Sequence, residues 1–183
     1  MYQIAKKLRD SFVRNLREAF KNDPDYPCVF DPKTGLHADS TKIRFAVSTP
    51  FETFGVPYVV VECTSSRESR TLDYDLIGEN TDGNPIRNVF VDSTIEIRVY
   101  SQDTVSRDKV VDAIFNKLKT IKTILYRDGV EIHSISYIPE RKETVRDRIF
   151  YVSGLSLRVL SEWDYTEPET ETVVESVHQE VYV

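Results

Sequence analysis

The chain is poor in the residues that commonly supply cross-links and chemistry. Only Cys28 and Cys63 are present, and neither lies near a further cysteine. That spacing supports neither a zinc site nor a disulfide framework, so free thiols in a reducing compartment are expected. Six glycines in 183 residues leave little material for phosphate-cradling loops. Gly-x-Ser-x-Gly and His-Glu-x-x-His are both absent. No apolar run approaches the ~18 residues of a membrane span, and Met1–Lys7 carries no apolar signal stretch. A soluble, cytosolically made protein without membrane or cofactor is therefore expected. Counted with glycine and without tyrosine, apolar content is roughly 38%, below the usual ~45–50%. Part of the chain is accordingly expected outside a packed core, in loops or arms.

Positive charge is missing from one end. Residues 163–183 hold six acids (Asp164, Glu167, Glu169, Glu171, Glu175 and Glu180) and no Lys or Arg. The remainder is formally neutral, with 24 acids (30 less those six) against 24 bases, so the whole net charge of −6 sits on this segment. An acidic tail is implied, and general nucleic-acid affinity, which needs a basic surface, is disfavoured.

What is present is periodic. Ile4, Leu8, Phe12, Leu16 and Phe20 recur every fourth position, which predicts an amphipathic helix over 2–22. Asp23-Pro24 ends it, because proline disfavours α geometry in the preceding residue. Lys6, Lys7, Arg9, Arg14, Arg17 and Lys21 form a basic outer face, read as solvated surface. Residues 23–41, rich in proline, look like a long connection. Strands are predicted at 42–48, 56–64, 86–100, 130–138 and 148–163. In the third, Val89, Val91, Ile95, Ile97 and Val99 point one way and Asp92, Glu96 and Arg98 the other. In the last, Ile149, Tyr151, Leu155, Leu157 and Val159 share a face. A second helix is marked by Val111, Ile114, Leu118, Ile121 and Leu125, capped by Asp103 or Ser106 and stopped at Asp128-Gly129. The expected fold is α+β: a mainly antiparallel sheet of four to five strands, two helices packed against it, and an extended C-terminal arm. One domain, 1–162, precedes the acidic arm, 163–183.

Candidate chemistry is thin. His37, His133 and His178 are scattered, and each is read as structural. Asp128 followed by Glu140-Arg-Lys142 is the spacing of a Mg²⁺-dependent nuclease site, in which two carboxylates hold the metal and a lysine offsets developing charge. Pro139 interrupts the strand such a site needs. Asp73 and Asp75 have i, i+2 spacing in a polar stretch and are read as solvated loop residues available to a partner. In the tail, Val173, Val177, Val181 and Val183 alternate with Glu175 and Gln179, while Val174 and Tyr182 fall on the other side. That segment suits strand exchange or docking on another subunit, a disordered acidic tail, or a strand in its own sheet.

Pro57–Thr64 (PYVVVECT), Val89–Tyr100 (VFVDSTIEIRVY), the helix 107–125, Tyr126–Ile132 and Arg148–Glu162 together form a layout that resembles the tail terminator (tail completion, neck) proteins of tailed bacteriophages. The resemblance spans residues 2–162. It implies a non-enzymatic virion protein forming a hexameric ring that caps the tail tube and joins tail to head. It implies self-association, contact with the tail tube protein, and contacts with sheath and head–tail connector proteins. DNA would only pass through the lumen. Another neck, baseplate or head–tail adaptor part is the nearest alternative, with the nuclease behind it. The arm lies outside the resemblance. Partner-contact candidates are Asp73, Asp75, Val173, Val177, Val181, Tyr182 and Val183.

Overall fold

The computed structural model describes residues 2–31, 33–34, 36–38, 40–47, 55–68, 76–79, 85–145 and 147–166. Helix α1 spans Tyr2–Phe20. Its stripe of Leu8, Phe12, Leu16 and Phe20 is fully buried. Past its end the Asp23 carboxylate accepts from the backbone N–H groups of Asp25 (3.1 Å) and Tyr26 (2.9 Å). This local turn competes with a further helical turn and stops α1 two residues before the expected end.

Within the expected connection lies a small antiparallel hairpin, β1 (Phe30–Asp31) and β2 (Leu36–His37). The main sheet contains β3 (Arg44–Ala46), β4 (Tyr58–Glu68), β5 (Leu76–Glu79), β6 (Pro85–Ser101), β7 (Val130–Val145) and β8 (Arg148–Thr166). Its order is β3-β4-β6-β8-β7, with β5 paired to the start of β6. Every pairing is antiparallel except β3 with β4. One parallel pair fits a mainly antiparallel sheet, and the chain between Ala46 and Tyr58 is long enough to return to the same end.

Helix α2 spans Thr104–Arg127 and links β6 to β7, with β8 inserted between those two strands. Asp103 is its N-cap, accepting from the Ser106 N–H at 2.7 Å. At the other end Gly129 has φ +73°, a conformation costly for residues with a Cβ. Both helices lie on one face of the sheet. Ile95, Ile97, Val99, Leu155, Leu157 and Val159 point into that layer with Ile114, Leu118 and Leu125 of α2. The fold is α+β, two helices on a mainly antiparallel sheet. β8 continues to Thr166, so Trp163–Thr166 belong to the sheet although charge groups them with the arm. Residues 167–183 lie outside the described residues.

Candidate assembly surface

The two edges of this sheet are treated differently. At the β3 edge, the Phe45 carbonyl accepts from Arg17 Nη2 at 2.6 Å. The Arg17 guanidinium also lies 3.7 Å from the Phe30 ring centroid. Arg17 is therefore a half-buried edge cap and not the solvated residue its helix face suggests. Its removal from water favours the neutral form and lowers its pKa.

Among the described residues the β7 edge is open. Its partner strand among them is β8 alone, over sixteen residues. Two irregularities divide it, one at His133, between Ile132 and Ser134, and one at Pro139–Glu140, between Ile138 and Arg141. Proline has no N–H to give a ladder, so a bulge on an edge strand is where it fits. From there on, Pro139, Glu140, Arg141 and Lys142 provide the proline and charge that guard sheet edges. Ser134–Ile138 between the irregularities carries no charge. Tyr137, in that stretch, is 60% exposed although its ring lies 6.0 Å from Phe115.

Beyond the Ser101–Tyr151 pair, the last of β6 with β8, the β7–β8 hairpin runs on as a two-stranded ribbon. Arg107 anchors it. This residue is 3% exposed in its side chain, and donates to Glu140 at 3.0 Å and to Asp108 at 2.7 Å. The hydrogen bond to Glu140 raises the Arg107 pKa. On the face away from the helices, Phe150 packs with Tyr100, Val60 and Val152, and burial raises the Tyr100 pKa. On the helix-side face, Ile149 is 57% exposed, and Lys142 stands 5.5 Å from the Tyr151 ring centroid.

Away from that apolar cluster, the sheet face opposite the helices carries charges that pair with one another. Arg98 pairs with Glu62 at 2.9 Å and with Glu96. Asp92 accepts from Arg158 at 2.7 Å and pairs with Arg67 at 3.5 Å. The Arg158 hydrogen bond holds the Asp92 carboxyl below the usual carboxylate range. Cations already paired in this way leave little unbalanced positive charge for a phosphate backbone.

The proposed nuclease residues do not converge. Asp128 caps the end of α2, whereas Glu140 and Lys142 lie far along β7. At ~3.3 Å per strand residue the separation from Asp128 to Glu140 is on the order of 30 Å, too far to share a metal ion. Glu140 is instead the partner of Arg107, and Lys142 lies over an aromatic ring. Among the described residues, no group of three His, Cys, Asp or Glu side chains gathers closely enough to hold a metal ion.

His37 Nδ1 lies 4.0 Å from Cys28 Sγ. Burial pushes the Cys28 thiol up to about 11 and lowers the His37 pKa. Both shifts favour the neutral forms, the reverse of a thiolate–imidazolium nucleophile. His133 sits exposed in the first β7 irregularity. Asp73, Asp75, Val173, Val177, Val181, His178, Tyr182 and Val183 lie outside the described residues.

Sequence periodicity did not mark Arg17, Arg107 or the outer half of β7. A Pro-Glu-Arg-Lys run inside a strand is the available signal for a guarded edge, and it reads equally well as a strand terminator. No protein-family model matches the chain, and no curated protein matches it.

Proposed function

We propose that the chain is a ring-forming structural subunit of a tailed-bacteriophage virion, acting as the tail terminator that caps the tail tube and joins tail to head. The observation that carries this reading is the inequality of the sheet edges: β3 is capped by Arg17, while among the described residues the outer edge of the sixteen-residue β7 has no partner strand. A head-to-tail contact uses two different surfaces of each copy and closes into a ring when the rotation permits. An open edge divided by bulges and charge is suited to one register of contact and resists indiscriminate strand pairing. The projecting ribbon, with Ile149 and Tyr151, adds an apolar contact at one end of the same strand pair. The resemblance in layout over residues 2–162 specifies the assembly: six copies, with the tail tube protein on one side and head–tail connector proteins on the other. Sheath contact belongs to the same reading, and DNA passes through the lumen without being read.

The test is mass in solution, by light scattering, for the chain alone and mixed with tail tube protein. The expected outcome is a six-copy species of 21.2 kDa chains, formed alone or on the tube. A chain that stays monomeric in both conditions and does not bind the tube overturns the reading. Tyr137→Asp, placed on the uncharged stretch of β7, is expected to weaken assembly at least tenfold while leaving thermal stability nearly unchanged.

A further inference from the structure

A groove of about 580 Å³ runs along one flank of α1, beside β1 and the end of β3. Val13, Val29, Phe30 and Val47 form its apolar surface, and Arg14 and Lys21 stand at its rim. Val29 and Val47 are 38% and 39% exposed, so two β-branched side chains meet water at one place. The inner wall is chemically quiet: Arg17 is occupied with the Phe45 carbonyl, and the Cys28 thiol is protonated at neutral pH. Two acids also line the groove, but Asp10 accepts from Arg9 and Glu18 pairs with Lys21.

The path of the chain indicates what covers it. Lys7, Arg14 and Lys21 recur every seven residues, so Lys7 and Arg14 share one flank of the helix and Lys21 continues it in the turn just past Phe20. The Lys7 ammonium stands 5.8 Å from the Trp163 ring centroid. Trp163 is three residues before the end of β8 at Thr166. The chain thus leaves the sheet close to one end of a basic flank whose other end rims the groove. From Lys7 to Lys21 the helix rises ~21 Å, whereas seventeen further residues reach roughly 55 Å when extended. Residues 167–183 contain five glutamates and no Lys or Arg, interspersed with Val173, Val174, Val177 and Val181.

We propose that residues 167–183 lie along the basic flank of α1 in the same molecule and seat valine side chains in the groove between α1 and β1. Reach, opposite charge and apolar content all fit this segment. Ladder pairing is not its mode of attachment, since Arg17 occupies the outward Phe45 carbonyl of β3. The inference stands without the ring reading, because it concerns the isolated chain.

The test uses the full chain at dilute concentration with a photoreactive benzoylphenylalanine in place of Val47, or of Tyr137 as the control on the β7 edge. The expected product from position 47 has the mass of one chain, with the crosslink mapping within 167–183. Its yield should fall several-fold in the Arg14→Glu, Lys21→Glu double variant and, in the otherwise unaltered chain, at about 0.5 M salt, where the Debye length is only ~4–5 Å. The salt arm requires no altered charge, so it remains informative if the double variant is unstable. Crosslinks outside 167–183, crosslinks to 167–183 only between two chains or only from position 137, or a yield insensitive to both charge reversal and salt would overturn the proposal.

Discussion

β8 passes through two environments without changing its alternation. Leu155, Leu157 and Val159 are fully buried beneath the helices, whereas Ile149, on the same face of the same strand, is 57% exposed. The difference is cover. α2 begins at Thr104, three residues after β6 ends at Ser101, so the ribbon beyond the Ser101–Tyr151 pair extends past both β6 and the start of that helix. Period-two patterning records which way a side chain points, and the neighbouring layer decides whether it leaves water. An apolar residue that faces the helical side beyond the helical layer is therefore available to another chain.

Substitutions in the two regions should diverge most where burial differs most. Phe12→Ala, in the covered body, is expected to cost about 3–5 kcal/mol in urea unfolding. Ile149→Ser, on the ribbon, should stay within about 0.5 kcal/mol while reducing self-association measured by sedimentation. Equal stability losses at the two sites would abolish the distinction.

Gly154→Val sharpens the boundary between these regions. A Cβ at that position would fall on the Ile97 carbonyl of the adjacent strand, and backbone cannot move aside as a flexible side chain can. A loss of roughly 3 kcal/mol is expected, and thermal unfolding near wild type would show that β6 and β8 separate easily there.

The comparison of the two edges gives smaller effects. Arg17→Met removes the cap on the Phe45 carbonyl and should cost about 2 kcal/mol, with the chemical-shift changes centred on β3 and the β1–β2 hairpin. Smallest is the pH response of the open face. Because the hydrogen bond from Arg158 depresses the folded pKa of Asp92, its contribution is present above the unfolded value near ~3.9 and is lost as pH falls through the folded value. Asp92→Asn should therefore be less stable than wild type at neutral pH, and the gap should close below about pH 4. A gap that persists unchanged into acid would remove the Asp92–Arg158 pair as its cause.

Much of the fold was legible because its elements carry strong local signals. The four-residue repeat in α1, the Asp103 cap and Gly129 stop of α2, and the alternation through Val91–Val99 each arise within a short window. The surface was less legible. Pro139 read as a strand terminator, since in an interior strand it would remove a ladder bond, whereas at an edge it removes nothing from the existing pairing. Arg17 looked like part of a solvated face because its partner, the Phe45 carbonyl, lies far along the chain. Glu140 and Lys142 resemble metal-site residues in the sequence, but β7 is long enough to keep Asp128 apart from them.

By itself, the order of residues determined the two helices, the facing of the strand side chains, and the charge asymmetry of residues 163–183. These follow from backbone periods and composition, which need no distant contact. Tertiary structure alone decided that β8 lies between β6 and β7, that Arg17 closes one edge, and that, among the described residues, β7 and its ribbon have no further partner strand. Those outcomes depend on which distant segments come to lie side by side, and identical local patterns can be either covered or left bare by them.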